Sequence, residues 1–266
     1  MTCPPDAASP PPNHLSLIHD QFTRQAELFA KAPALHDARA LDALVQTARP
    51  SPADASLDVA CGPGTVVAAF AGHVRHATGL DATEAMLDQA RALAAARGLG
   101  NVDWRHGDVY ALPFEDGRFD IVTCRFAFHH FEAPERAFAE MARVCRSGGR
   151  VVLCDAVAPD DPDKAAAFNA IERYRDPSTV EFRNLAYLAG LFAAASLPEA
   201  TMSFYQVPVE LNALLKLSFP VADDGEGLRA MIVGAIEGDR MGVNARRDGE
   251  RVRFEYAAAI LTAVKP

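Results

Sequence analysis

A regular alternation between short apolar segments and longer segments of helical periodicity constrains the fold of this chain most. The short segments are 56–60, 76–80, 102–105, 119–124 and 150–156, and the helical segments between them are 65–71, 83–97 and 134–146. Strands separated by helices of this length cross over to neighbouring parallel strands, so that helices cover both faces of one sheet. The sequence therefore predicts a doubly wound α/β fold.

The chain before this region is different in composition. Residues 1–13 contain five prolines, which predicts a disordered tail. Residues 14–48 predict one or two helices, with Phe22, Gln25 and Phe29 on one face at helical spacing.

The chain after residue 158 loses the regular alternation. We expect a helix at 162–174 and another from Ser178 to about Ser196, because Ser178 and Glu181 have the spacing of a capping box. Two strands, 202–207 and 254–263, flank a segment of irregular helices.

Composition and charge argue against several classes of function. The formal net charge is −9, and nucleic-acid binding requires clustered Lys and Arg, so we expect no nucleic-acid partner. The 5 cysteines form no Cys-x-x-Cys pair, which predicts neither a disulfide framework nor a metal site. Dispersed cysteines favour a reducing, cytoplasmic location. A monomer and a homodimer both stay open.

The sequence predicts no association with a membrane. The first residues contain neither a basic segment nor an apolar stretch, so we expect no signal peptide or anchor there. The longest apolar segment, 185–197, is too short to span a bilayer.

The sharpest local motif is LDVACGPGT, residues 57–65. An apolar strand that contains Asp58 leads into Gly62 and Gly64, and a helix follows at once. Glycines permit a tight turn and let a ligand approach the backbone, and the helix N-terminus offers free N–H groups. Two glycines alone also fit an ordinary strand–helix turn.

Two further carboxylates strengthen this motif. Asp81 ends the second strand, at the spacing where dinucleotide-binding folds hold ribose hydroxyls, and Asp108 follows the third strand. Each could also cap a turn. Ligands of open α/β sheets bind beyond the carboxyl ends of the strands, so three ordered elements there predict a nucleotide-type site.

Four segments taken together support a more specific assignment. LDVACGPG, GLDATEAML, GDVYALPFEDGRFDIVTCRFAFHHF and EMARVCRSGGRVVL resemble the successive motifs of class I S-adenosylmethionine-dependent methyltransferases. The resemblance is to the ubiquinone/menaquinone-biosynthesis C-methyltransferase-like branch and covers about residues 55–158. It implies methyl transfer from S-adenosylmethionine to a small-molecule acceptor by in-line displacement.

The same resemblance implies an architecture. We expect a Rossmann-like, seven-stranded sheet with the last strand antiparallel. Residues 14–50 would form a helical lid, and residues 51–266 a methyltransferase domain with helical insertions at about 159–198 and 211–245. The first insertion would cover the active site.

The resemblance also assigns roles in cofactor binding. Asp58, Ala60 and Gly62 would line the methionine part, Asp81 would bind the ribose hydroxyls, Ala82 and Met86 would pack on adenine, and Asp108 and Val109 would bind the adenine edge. Cys61, Gly64 and Gly107 belong to the same motifs and complete the expected set, with Arg125 near the methionine part or the reaction centre. Ser147 replaces the proline usual before the Gly148–Gly149 pair, away from the cofactor.

Candidate catalytic residues are His129, His130 and Arg125. Histidine can act as a base near neutral pH, but one histidine could instead orient the loop through a backbone hydrogen bond. The cofactor carries the reactivity, so methyl transfer requires a base only if the acceptor must lose a proton.

Candidate acceptor-binding residues come from three parts of the chain. Phe22, Gln25 and Phe29 would form the lid, His130 would lie beside them, and Arg173 and Arg175 would orient an anionic acceptor. The arginines could equally pair with Glu172 or Glu181 on helix surfaces.

Two other functions share part of this pattern. An NAD(P)-dependent oxidoreductase also has a glycine loop and a ribose carboxylate, but Val67 stands where its third glycine would be. A protein that binds S-adenosylmethionine without transferring the methyl group would share every motif.

Overall fold

The structure is a computed structural model that describes residues 13–266. The predicted tail, residues 1–13, lies outside the described residues except for Asn13. The Asn13 side chain caps the first helix by accepting a hydrogen bond from the backbone N–H of Ser16.

One sheet of eight strands organises the described part of the chain. The strands are β1 (Ala55–Val59), β2 (His76–Asp81), β3 (Val102–His106), β4 (Phe119–Arg125), β5 (Cys145–Ala156), β6 (Thr201–Glu210), β7 (Arg246–Asp248) and β8 (Arg251–Val264). Their order is β3-β2-β1-β4-β5-β8-β6, and the short β7 pairs with β8. Strands β1 to β5 pair in parallel and β8 pairs antiparallel to β5, which confirms the predicted fold class with β7 as an addition.

Nine α-helices accompany the sheet within residues 13–266. They are α1 (His14–Phe29), α2 (Ala38–Ala48), α3 (Thr65–Ala71), α4 (Glu84–Ala96), α5 (Pro134–Val144), α6 (Pro162–Arg175), α7 (Leu185–Ala194), α8 (Leu211–Lys216) and α9 (Gly225–Gly234). None of the helices described is long and apolar enough to cross a membrane.

Helices cover both faces of the sheet. On one face, Leu44 of α2 and Phe70 of α3 pack with Ile121 of β4 in one buried cluster. On the other face, Phe138 of α5 and Phe192 of α7 belong to a second cluster with the opposite side chains of the same strands. All five residues of β1 are buried, as expected for a central parallel strand covered on both faces.

A third buried cluster extends the fold beyond the sheet's centre. Phe168 of α6, Leu228 of α9 and Phe254 of β8 pack together there. The segment after residue 158 therefore has a small apolar core of its own, which anchors it to the long strand β8.

The predicted helix from Ser178 to about Ser196 has the wrong start, although a helix does lie within that range. The Ser178 hydroxyl donates to Asp176 Oδ1 at 2.5 Å, and the N–H of Glu181 donates to the carbonyl of His129 at 3.0 Å. Since these groups already have other hydrogen-bond partners, no helix starts there. Helix α7 begins only at Leu185, with Asn184 as its cap.

The predicted end of the helix at 134–146 is also wrong. Helix α5 ends at Val144, and β5 begins at Cys145, which pairs with Phe119. The pairing then shifts register before Arg150 meets Ile121. The Gly148–Gly149 pair thus lies in an irregular stretch at the start of the strand and does not end the helix.

Candidate functional site

The loop between β1 and α3 has a left-handed backbone at three positions. Ala60 has a φ of 55°, Gly62 of 50° and Gly64 of 80°. A Cβ on Gly64 would lie 2.6 Å from the Trp104 side chain, whereas a Cβ on Gly62 would meet nothing within 4 Å. Gly64 is therefore needed for packing of α3, while Gly62 leaves open space in front of the backbone.

Asp81 ties the end of β2 to this loop. Its Oδ2 accepts the N–H of Gly62 at 2.8 Å and its Oδ1 accepts the N–H of Thr83 at 2.9 Å. The side chain is 8% exposed, and burial raises its pKa even though these backbone donors act against the shift. Each carboxylate oxygen keeps a free lone pair for a ligand hydroxyl.

Asp58 is buried at the carboxyl end of β1. The Thr123 hydroxyl donates to its Oδ1 at 2.7 Å. Burial raises the pKa of Asp58 to about 7, although Thr123 and the nearby guanidinium of Arg125 act to lower it. A cation that binds next to this carboxyl would therefore lower its pKa and favour the ionised form.

Asp108 lies in the turn after β3. Its Oδ1 accepts the N–H of Tyr110 at 2.9 Å, so it caps this turn, and the rest of the side chain is exposed. Gly107, Asp108 and Val109 all border the same cavity as Asp58 and Asp81.

That cavity, of about 350 Å³, lies beyond the carboxyl ends of β1 to β4. This is where the strand order reverses, between β1 and β4. It brings together most of the residues that the motifs predict. They are Asp58, Ala60, Cys61, Gly62, Asp81, Ala82, Met86, Gly107, Asp108, Val109 and Arg125, with Phe22, Phe29 and His130.

The cover of the cavity is mainly apolar, although His14 and His19 of α1 also border it, and most of its residues were not predicted from the sequence. Helix α1 contributes Leu15 and Ile18 beside Phe22, and Leu35 follows from the short 3₁₀ helix Pro33–Leu35. Phe126 and Phe131, after β4, complete this wall. An apolar spacing at Leu15, Ile18 and Phe22 was the available signal, and it is compatible with ordinary core packing.

Arg125 connects the cover to the sheet. Its guanidinium donates to the carbonyls of Ala34 at 3.0 Å and Leu35 at 3.3 Å, and it lies 4.6 Å from the centre of the Phe126 ring. Its Nε is buried without a hydrogen-bond partner among the described residues. A buried guanidinium held by two carbonyls fixes the 33–35 segment over the site.

The two histidines after β4 differ in their surroundings. His129 Nδ1 lies 2.9 Å from Asp155 Oδ1, its ring stacks on Phe182 at 4.0 Å, and it does not border the cavity. His130 does border the cavity, and its Nδ1 lies 3.0 Å from the carbonyl oxygen of Ser178. The structure therefore brings only His130 to the site.

Four other predicted site residues do not border the cavity. Gln25 is fully buried and donates to Asp176, at 3.4 Å. Arg175 pairs with Glu172 at 2.7 Å, and the exposed Arg173 donates to the carbonyl of Val180. Gly64 lies behind the loop against Trp104. For Arg175, the structure shows the ion pair that was the alternative to acceptor binding.

No group of three or more His, Cys, Asp or Glu side chains in the described part of the chain is arranged to hold a metal ion.

The fold and the cavity together define a class of protein. A doubly wound sheet, a glycine loop after β1 and carboxylates after β1, β2 and β3 are typical of Rossmann-like enzymes that bind a nucleoside cofactor at the strand ends.

Comparison with known proteins identifies the family within that class. A family model described as a methyltransferase domain matches residues 57–153. YcgJ of Bacillus subtilis, named an uncharacterized methyltransferase, is 29% identical over 246 residues, which span 92% of this chain and 97% of YcgJ. The crystal structure of YcgJ matches with a TM-score of 0.79 at 30% identity, covering 85% of this chain and 98% of that one.

Two relatives whose names state the reaction they catalyse match over shorter stretches. The ubiquinone/menaquinone biosynthesis C-methyltransferase UbiE of a Ruegeria species is 38% identical over 118 residues, so the match spans 43% of this chain and 47% of UbiE. A demethylmenaquinone methyltransferase of Listeria monocytogenes is 34% identical over 160 residues, which cover 52% of this chain and 68% of that enzyme. The chain belongs to the S-adenosylmethionine-dependent methyltransferases.

Proposed function

We propose that this methyltransferase acts on a small, neutral and mainly apolar acceptor, which binds under α1 next to the cofactor. The observation that carries the proposal is the division of the cavity. Carboxylates and backbone groups of the loops after β1, β2 and β3 form one side, and side chains of α1 and of the segment after β4 form the other.

The first side fits S-adenosylmethionine by its chemistry. Asp58 offers a carboxyl to the ammonium of the methionine part, and Asp81 offers free lone pairs to the ribose hydroxyls. Gly62 leaves open space at the loop, and Met86 provides an apolar surface for adenine. These residues would hold the cofactor, which supplies an activated methyl group when bound.

The second side favours a neutral acceptor. Arg173 and Arg175 do not border the cavity, and Arg125 already donates to two backbone carbonyls. Leu15, Ile18 and Phe22 present hydrocarbon surface instead. An anionic acceptor, which Arg173 and Arg175 were expected to orient, would meet neither of these arginines on this wall.

The chain's own contribution to methyl transfer is positioning and exclusion of water. The cover holds the acceptor in line with the methyl group, and its apolar side chains keep water from competing. Arg125 stabilises the closed arrangement through Ala34 and Leu35.

Transfer of labelled methyl groups tests this proposal. The purified protein is incubated with methyl-labelled S-adenosylmethionine and fractions of a cell extract separated into small molecules, nucleic acids and proteins. We expect label in the small-molecule fraction only, in a compound that partitions into organic solvent at neutral pH. Label in nucleic acid or protein, or no transfer at all, would contradict the proposed acceptor class.

A further inference from the structure

A chain of buried polar atoms leads from Asp176 to the cavity wall. The Ser178 hydroxyl donates to Asp176 Oδ1 at 2.5 Å and lies 3.1 Å from Nδ1 of His130. The same Nδ1 lies 3.0 Å from the carbonyl oxygen of Ser178. Asp176, Ser178 and His130 are 1%, 0% and 6% exposed, so water does not compete for these contacts.

These contacts determine where the proton of the imidazole lies. The Ser178 carbonyl can only accept, and the Ser178 hydroxyl already gives its hydrogen to Asp176. Nδ1 of His130 must therefore carry the hydrogen and donate it. Nε2 of the neutral ring is then left with a lone pair, because one ring nitrogen is a donor and the other an acceptor.

The free nitrogen belongs to a side chain of the cavity wall. His130 borders the cavity, and its Nε2 has no hydrogen-bond partner among residues 13–266. Phe22 of α1 packs edge-to-face on the ring with centroids 5.0 Å apart, and His14 bonds the backbone carbonyl of His130 at 2.7 Å. The orientation of the ring is thus fixed from both sides.

The charges around the ring suit a transient proton acceptor. Burial, and then the neighbouring His129, lower the pKa of His130 to about 3, so the ring is neutral before the reaction. Burial acts to raise the pKa of Asp176, whereas positive charge on His130, the Arg175 guanidinium and the hydrogen bonds from Ser178 act to lower it. An ionised Asp176 stabilises positive charge that arises on the ring.

We propose, on the basis of the function proposed above, that the acceptor presents a hydroxyl group to Nε2 of His130, which takes the hydroxyl proton during methyl transfer. Ser178 and Asp176 are positioning residues that act through His130. Beside the Phe22 ring, the fixed Nε2 of His130 is the group that selects a hydroxyl-bearing acceptor.

The step balances in atoms and electrons. An oxygen lone pair forms the O–CH₃ bond as the bond between that methyl and the sulfur breaks, and the sulfur keeps the electron pair. The O–H proton passes to Nε2, and its bonding pair stays on oxygen. A hydroxyl oxygen becomes strongly acidic as it is alkylated, so even a weakly basic imidazole accepts the proton. The imidazolium then releases it to water when the cavity opens.

Nitrogen-15 NMR of the histidine-labelled protein in its S-adenosylhomocysteine complex tests this proposal. The resonances of His130 are identified as those absent from His130→Gln. We expect Nδ1 to be protonated and Nε2 to be unprotonated. Adding para-cresol should shift the Nε2 resonance, because its hydroxyl donates to this nitrogen, and para-cresyl methyl ether should not. A protonated Nε2 in the wild type, equal responses to both compounds, or no binding of para-cresol would overturn the proposal.

A second experiment measures turnover, as the O-methylation of para-cresol. General-base groups contribute about 10²–10⁴-fold, so we expect His130→Gln to lose about 100-fold or more. Ser178→Ala and Asp176→Asn should lower kcat with little change in KM, whereas Ser218→Ala, which removes a hydroxyl bonded within its own helical turn, should not. Full activity of His130→Gln, or no methylation of bound para-cresol by the wild type, would overturn the proposal. Failure of the wild type to bind S-adenosylhomocysteine would instead disprove the proposed cofactor site.

Discussion

The two sides of the cavity are assembled in different ways. On the cofactor side, Asp81 bonds to Thr83 two residues away and to Gly62 nineteen residues away, both across one strand–helix–strand unit. On the acceptor side, His14 bonds to His130 over 116 residues and Gln25 to Asp176 over 151. Asp81 and the glycine loop therefore depend on one short stretch of chain, and the acceptor side depends on how distant segments dock.

This contrast predicts that substitutions on the cofactor side weaken ligand binding directly, while those under the acceptor side act first through stability.

The largest expected effect is the loss of stability in Arg175→Ala. Arg175 donates to Glu172, which is 1% exposed and also accepts from the Tyr256 hydroxyl at 2.6 Å. Removing one partner of a buried pair costs about 3–5 kcal/mol, so we expect that loss in the free energy of unfolding by urea.

Arg173→Ala is the matched control for this prediction. Arg173 lies on the same helix, is exposed and donates only to the carbonyl of Val180. We expect unfolding within about 0.5 kcal/mol of the wild type. If Arg173→Ala kept its stability but lost acceptor binding, these arginines would belong to the acceptor site after all.

The next effect in size is the loss of cofactor affinity in Asp81→Ala. Losing hydrogen bonds to a charged group costs about 1.5–3 kcal/mol, so we expect roughly 10- to 150-fold weaker binding of S-adenosylhomocysteine by calorimetry. Asp88→Ala, which removes an exposed ion pair with Arg91, should bind as the wild type does. If Asp81→Ala folds and binds S-adenosylhomocysteine as tightly as the wild type, Asp81 does not contact the cofactor.

Asp58 predicts a pH dependence of cofactor binding. Since burial raises its pKa to about 7, bringing the ammonium of S-adenosylmethionine to it should lower that pKa and release a proton. Affinity should therefore rise as pH rises, by about tenfold between about pH 6 and pH 8, and level off above. Asp58→Asn should abolish this dependence. A wild-type affinity that does not change over this range would show that no cation contacts Asp58.

The smallest predicted effect concerns the cover. Arg125→Met leaves the carbonyls of Ala34 and Leu35 without their donor, which we expect to favour local opening by about 1 kcal/mol, or roughly fivefold. Tryptic cleavage after Lys31 should accelerate accordingly, read by mass spectrometry of early digests. Arg105→Met, an exposed change on β3, should leave the rate unchanged. Equal cleavage in both variants would mean that Arg125 does not hold the cover closed.

What the sequence predicts follows the same division. The glycine loop, Asp58, Asp81 and Asp108 stand at fixed short spacings after strands, so their meeting at one sheet edge is a consequence of the fold. Ser178 shows why the acceptor side differs. Its local spacing to Glu181 predicts a helix cap, but its hydroxyl and carbonyl bond to Asp176 and His130 instead. The contact with His130, 48 residues away, leaves no local pattern, and the same holds for the docking of Leu15 and Ile18 in the cover.

Calorimetric titration of the purified wild-type protein with S-adenosylmethionine tests the central claim most directly. The arrangement of Asp58, Gly62 and Asp81 around one cavity predicts saturable binding with one site per chain. It also predicts that NADH gives no saturable heat and does not compete. No binding of S-adenosylmethionine, or preferential binding of NADH, would contradict the account.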